Sequence, residues 1–167
     1  MRISPDFLAE VISPYIVECR YLKEAELEYP EARGRFEIPA PFYCPRTRHF
    51  NAVELFICYN QLAYVMFAEA GRQGLVKEFG GVLNVEGFKE HQKFYSFIAK
   101  ISGVKFREVV DPAEFNGRIR VDRGVRRDNT VFLQTDFGFG NEGKREGVTG
   151  SVLLAITFQH DLSRSRG

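Results

Sequence analysis

The chain has 167 residues, enough for one domain with a substantial core, and 44% of them are hydrophobic. Lysine and arginine number 23 against 22 acidic residues, so no global basic field argues for nucleic acid. No stretch approaches the ~20 apolar residues of a membrane span, and MRISPDFLAEVI at the start lacks the apolar run of a signal peptide. The three cysteines (Cys19, Cys44, Cys58) have no paired-ligand spacing, which argues against zinc and for free thiols in a reducing compartment. The expectation is a cytoplasmic protein with no metal, no cofactor, no nucleic acid and no membrane partner. Sixteen phenylalanines and no tryptophan suit a thick core of sheet on helix better than an apolar ligand tunnel.

In chain order, Ser4-Pro5-Asp6 reads as a helix start: a cap, proline at the first helical position, an acid in the first turn. That helix, Pro5–Ile12, stops before Ser13-Pro14. From Tyr15 to Glu37 the pattern fits two strands broken near Tyr29-Pro30. A proline-laden loop, IPAPFYCPRTRH, precedes an apolar helix that begins near His49 and ends near Glu69. After Ala70 the chain reads as loop, with one short helix at Val85–Gln92. Strands follow near Tyr95–Val109, Phe115–Asp122, Thr130–Phe139 and Val148–Phe158, with turns at RGVRRDN and GNEGKREG. In the second of these strands Phe115, Gly117, Ile119 and Val121 alternate with Asn116, Arg118, Arg120 and Asp122, the period of a half-buried strand.

A helix apolar on nearly every side must be wrapped by something. A curved antiparallel sheet around it is the hot-dog arrangement, so the expected class is α+β. Residues 1–160 form one such domain and 161–167 a frayed tail. A flat sheet with the helix on one face is the alternative, but it would leave the helix a polar face in water.

The helix nevertheless carries polar groups. At 100° per residue from Asn51, Glu54 falls at about 300°, Cys58 at about 340° and Gln61 at about 280°, while Asn60 points the opposite way. A buried carboxylate without a partner is strongly disfavoured, so this stripe meets either sheet backbone or a wet cavity. For Gln61 the bland reading, a hydrogen-bonded tie to a strand, is preferred. Asn51 sits in the first turn, where free N–H groups and the positive end of the helix dipole could stabilise a developing oxyanion. Simple capping is the competing account of Asn51, and a satisfied loop residue that of His49.

The stretch HFNAVELFICYNQLAY (49–64), with Pro14-Tyr15, Cys19-Arg20-Tyr21-Leu22 and EHQ at 90–92, resembles the FcoT-like family of hot-dog thioesterases. That family includes long-chain acyl thioesterases, enzymes that add glycine to 2-enoyl-acyl-carrier-protein, and relatives that handle β-amino acyl thioesters in secondary metabolism. The resemblance runs from about Leu8 to Phe158. It implies an enzyme acting on acyl thioesters of acyl carrier protein or coenzyme A, with Tyr15, Tyr43 and Asn51 as functional candidates and His49 and His91 matching family histidines. The expected chemistry is addition of glycine to the β-carbon, hydrolysis of the β-amino acyl product, or both. A plain medium- or long-chain thioesterase and a non-catalytic acyl-binding protein are the alternatives.

Both reactions send charge to the thioester oxygen, so one pocket could run them. In that scheme Asn51 and the helix N–H groups meet the oxygen, and His49 or His91 carries the proton, because histidine titrates near neutrality. Tyr43 and Tyr15 orient water, amine or thioester. Glu54 lines the substrate side, and Lys89, Arg46 or Arg48 holds glycine's carboxylate. Arg118, Arg120, Arg126 and Arg127 read either as a solvated face or as a dock for coenzyme A phosphates or an acidic carrier. DFG at Asp136–Gly138 is a strand end, since no other kinase motif accompanies it. Exposed sheet edges predict a homodimer or higher homo-oligomer.

Overall fold

A computed structural model of the chain describes residues 1–39, 50–79 and 96–157. The short first helix, α1 (Pro5–Val11), is capped as its sequence demands, with Ser4 Oγ accepting from the Phe7 N–H at 3.3 Å. A 3₁₀ turn at Val17–Cys19 leads into β1 (Leu22–Glu28) and β2 (Glu31–Phe36). Next come the long helix α2 (Ala52–Arg72), a 3₁₀ turn at Lys77–Phe79, and β3 (Ser96–Phe106). The chain then runs through β4 (Phe115–Arg127), β5 (Thr130–Gly140) and β6 (Val148–Thr157). The six strands form one antiparallel sheet in the order β1-β2-β4-β5-β6-β3.

α2 packs on the β1-β2-β4 half of this sheet and against α1, and buries Leu55, Leu62, Val65, Met66 and Phe67. It reaches β5 through side chains: the Tyr59 and Thr135 hydroxyls lie 2.6 Å apart in the dry interior. The hot-dog arrangement is therefore what the molecule adopts. One stripe of the helix is less covered than an apolar helix predicts. Val53 is 51% exposed, and Phe56, Ile57, Asn60 and Tyr64 are half-buried.

Where the helix begins is fixed by aromatics. Phe50 meets Phe115 edge to face at 4.8 Å, and Phe115 stacks on Phe36 at 5.4 Å. Phe139 closes the cluster, and it lies flat against the sheet because residue 117 is glycine. A Cβ there would come within 2.3 Å of the Phe139 ring. Aromatic contacts of this kind each contribute about 0.5–1.5 kcal/mol beyond burial.

Four expectations need correcting. Residues 15–21 are not a strand but a loop and 3₁₀ turn, because Arg20 and Gln61 claim their backbone groups. α2 continues past Ala70 to Arg72, where the Arg72 guanidinium joins the buried Glu69 carboxylate at 2.6 Å and rewards another turn. The reach of β3 to Val109 was too long: Arg107 and Glu108 turn their N–H groups to the Gly147 carbonyl. Finally, RGVRRDN is mostly strand. β4 pairs with β5 out to Arg127 opposite Thr130, and only Asp128-Asn129 turns, with Asp128 at φ 51°. Aspartate tolerates that left-handed backbone better than most residues, so two residues suffice. The helix expected at Val85–Gln92 lies outside the described residues.

Candidate active site

The start of α2 is a capping box. Asn51 has extended backbone (φ −121°, ψ −170°), and its Oδ1 accepts from the Val53 N–H at 2.7 Å. Three residues on, Glu54 Oε2 accepts from the Asn51 N–H at 3.4 Å. The sequence signal is Asn-x-x-Glu, which satisfies orphan donors reciprocally. Because the Asn51 oxygen turns toward the helix, its Nδ2 lies on the outer side of the amide. Glu54 is fully buried, so its carboxylate acts inside the helix start rather than on its surface. What this end can offer a ligand is the positive end of the helix dipole. A cleft of about 780 Å³ opens beside Phe50, with Arg107, Lys144, Glu108, Asp111 and Asn141 as its polar members.

Further along, the polar stripe is structural. Gln61 Oε1 accepts from the N–H groups of Tyr21 (3.0 Å) and Leu22 (2.9 Å), and its Nε2 donates to the Cys19 carbonyl at 2.5 Å. One amide thus reads three backbone groups of CRYL. Cys58 is wholly buried, and desolvation together with the nearby Glu54 charge holds its thiol well above the ordinary range. A protonated buried thiol is a poor nucleophile. Cys58→Ala is therefore expected to keep activity within about tenfold of wild type in a folded protein, as rates on a thioester substrate would show. Cys19 is also a free thiol.

Tyr15 follows the proline that ends α1, in a loop held by Arg20. The Arg20 guanidinium donates to the carbonyls of Tyr15 (2.9 Å) and Ser13 (3.0 Å). The Tyr15 ring packs against that of Tyr64, with centroids 6.3 Å apart and the planes tilted by 45°. Burial, reinforced by their proximity, raises the Tyr15 pKa, and burial raises that of Tyr64. Both phenols therefore keep their protons through the neutral range. Tyr64 is thirteen residues past Asn51, about 20 Å along the helix axis at 1.5 Å per residue. Within one chain, Tyr15 and Asn51 are thus not brought together. Beside Tyr64 lies an apolar pocket of about 200 Å³, walled by Ala63, Phe67, Phe97, Ile98, Leu154 and Ile156, with Asn60 and Tyr64 as its polar members.

Tyr43, His49, His91, Lys89, Arg46 and Arg48 lie outside the described residues, as does Cys44. The four candidate arginines on β4 are not gathered in one place. Arg118 and Arg127 are about 30 Å apart along the strand. Arg118 is held by the Glu146 carboxylate, and Arg126 Nε donates to the Asp128 carbonyl at 3.2 Å. Arg120 is exposed and paired in register with Glu31 and Asp136. Two contributors escaped sequence reasoning. Arg20 was visible only inside the CRYL motif, and Tyr64 reads as one more aromatic of an apolar helix.

Residues 10–156 match the model of the FcoT-like thioesterase domain. The chain belongs to that family. It is 37% identical over 122–123 residues to proteins named (2E)-enoyl-[ACP] glycyltransferase from Mycobacterium marinum and Mycobacterium tuberculosis, covering 70–71% of this chain. A Streptomyces coeruleorubidus protein of the same name is 34% identical over 139 residues, 79% of this chain. The match spans 66% of the length of those mycobacterial relatives and 83% of the Streptomyces one. Among solved structures, the dehydratase domain of RzxB from Pseudomonas fluorescens superimposes with a TM-score of 0.61 at 10% identity, over 93% of this chain and 49% of that one. The virulence protein Cj0977 of Campylobacter jejuni gives 0.56 at 9% identity, over 93% and 98%. These two share the fold. No helix among the described residues is long and apolar enough to cross a membrane.

Proposed function

We propose that this enzyme adds glycine to the β-carbon of a 2-enoyl thioester on an acyl carrier protein and hydrolyses the β-amino acyl thioester that results. The observation that carries this reading is the 34–37% identity to enzymes named for glycyl transfer to an enoyl carrier thioester. In the first step the glycine nitrogen bonds to the β-carbon while the C=C electrons move through the α-carbon to the thioester oxygen. The ammonium proton leaves the nitrogen and a proton is delivered to the α-carbon. In the second, water bonds to the carbonyl carbon and the carrier thiol leaves. The Asn51 amide and the dipole of α2 would stabilise the oxygen in both. His49 or His91 would carry the proton, Tyr43 would place water, and Lys89, Arg46 or Arg48 would hold the carboxylate. Arg107 and Lys144, which make no ion pair among the described residues, border the cleft beside Phe50 and would face the carrier's phosphate.

The family's thioesterase description favours a second reading, hydrolysis of a simple acyl thioester without addition. Mass spectrometry of an enoyl-thioester panel, incubated with and without glycine, separates the two. A product heavier by one glycine supports addition, whereas free acid formed only from the unmodified chain supports the second reading. No turnover of any member makes the protein a binder and sinks both.

The working assembly in this reading is a homo-oligomer. β3 forms one edge of the sheet, and Phe97 (56%), Ile101 (44%) and Phe106 (49%) stand exposed along it. A second copy pairing there would cover them. Light scattering at micromolar concentration is expected to give at least a dimer mass, and Ile101→Lys to halve it. A monomeric wild-type mass ends the idea.

A further inference from the structure

The loop between β3 and β4 is fastened along its whole length and still holds an apolar side chain in water. Arg107 and Glu108 donate their N–H groups to the Gly147 carbonyl at 2.7 and 3.2 Å, and the Pro112 carbonyl accepts from the Ile38 N–H at 2.8 Å. Between them Asn141 donates through Nδ2 to the Val109 carbonyl at 3.0 Å and accepts at Oδ1 from the Asp111 N–H at 2.7 Å. Val110 is buried, whereas Val109 is 88% exposed, more than any other large hydrophobic side chain among the described residues. Phe106, itself 49% exposed, lines the same cleft beside Phe50.

A single exposed valine is ordinary. The charges around this one are sorted. Both acids that line the cleft are engaged by the protein itself: Glu108 Oε1 accepts from Arg145 Nε at 2.7 Å, and Asp111 Oδ1 from the Ala113 N–H at 2.9 Å. Both cations that line it, Arg107 and Lys144, are exposed and make no ion pair among the described residues. Glu142, in the turn between β5 and β6, does not line the cleft.

We propose that this rim is the docking surface for the acyl carrier protein, with Val109 as its apolar contact and Arg107 and Lys144 as its attractive charges. The occupant it fits is an acidic protein face with an apolar seat between its carboxylates. Complementary charge draws such a face in, and a contact carried on a fastened loop needs little ordering on binding. The inference rests on the proposed reaction. It adds what that reaction leaves open, namely which part of the surface tells a carrier-bound substrate from a free thioester.

The test presents one acyl group in three forms, on the carrier protein, on coenzyme A and on N-acetylcysteamine. The constants kcat and KM are measured for the wild type, for Val109→Asp and for Val125→Asp, with thermal melts as the control of folding. Val125 is 48% exposed and lies far along β4, so its variant carries the same added charge away from the rim. Val109→Asp is expected to raise the KM of the carrier-bound substrate by about tenfold or more, because a carboxylate there repels an acidic face as well as removing the contact. Its kcat on that substrate, and both constants on the two small thioesters, should stay within about twofold of wild type. Val125→Asp should change none of them. Added salt should raise the wild-type KM for the carrier-bound substrate and leave that for the N-acetylcysteamine thioester unchanged. Equal losses on all three substrates, no effect of Val109→Asp, or the same loss from Val125→Asp overturn the assignment. So does a wild-type chain that turns over the two small thioesters but not the carrier-bound one, which removes the dock and leaves the thioester chemistry. If none of the three is turned over, the inference falls together with the function beneath it.

Discussion

Asn51→Ala is expected to slow glycine addition and thioester hydrolysis together by about 10²-fold or more, the usual cost of losing one oxyanion donor. The substitution also removes a cap, which costs about 1 kcal/mol and lowers the melting temperature by roughly 2–4 °C in a chain of this size. Asn51→Asp separates the two effects. Aspartate caps as well as asparagine, so the Val53 N–H keeps an acceptor, but the amide donor is gone and, in the proposed reaction, a negative charge would face the thioester oxygen. The Asp variant should melt near wild type and still be slow in both reactions. If Asn51→Ala leaves both rates unchanged, residue 51 only caps the helix.

The largest effect on stability is expected at Gln61. Gln61→Leu keeps the volume but strands the N–H groups of Tyr21 and Leu22 and the carbonyl of Cys19, all bonded to that one side chain. Each buried backbone group left unsatisfied costs about 1–3 kcal/mol. The total is roughly 3–9 kcal/mol, a fall in melting temperature of about 6 °C or more, which thermal denaturation by circular dichroism will read. The three groups lie next to the Tyr15 loop, so activity should fall as well. A Gln61→Leu protein that melts within about 2 °C of wild type would mean that water replaces the amide.

The sequence made the large elements legible because their patterns are local. Ser4-Pro5-Asp6 carries its own cap, and the alternation from Phe115 to Val121 marks which face of β4 is buried. The long helix is announced by its apolar run, and Gln61 reads as a backbone tie, although only Leu22 of its three partners belongs to a strand. Less legible was anything decided by distant partners. Residues 15–21 look like a strand until Arg20 and Gln61 take their backbone groups, and β4 outruns its predicted turn because β5 pairs with it to the end. The site was legible only in part. Asn51 and Glu54 announce a helix start by spacing alone. Tyr64 could not be told from a core aromatic without the ring of Tyr15 beside it, and nothing in the spacing of β4 showed that its arginines spread over about 30 Å.

The position of β3 has a consequence for biosynthesis. Its ladder partner is β6, and Phe106 pairs with Val148. At roughly 5–20 residues per second, the ribosome finishes β3 about 2–8 seconds before the first residue of its partner is made. Throughout that interval Phe97, Ile101 and Phe106 sit on an unpaired strand, in company that could recruit another nascent chain. Lys100 and Lys105 interrupt the apolar run at the places where gatekeeper charges discourage such pairing. Replacing both with threonine should leave the finished fold intact and lower the soluble yield from expression at 37 °C, more than the same change made on β4.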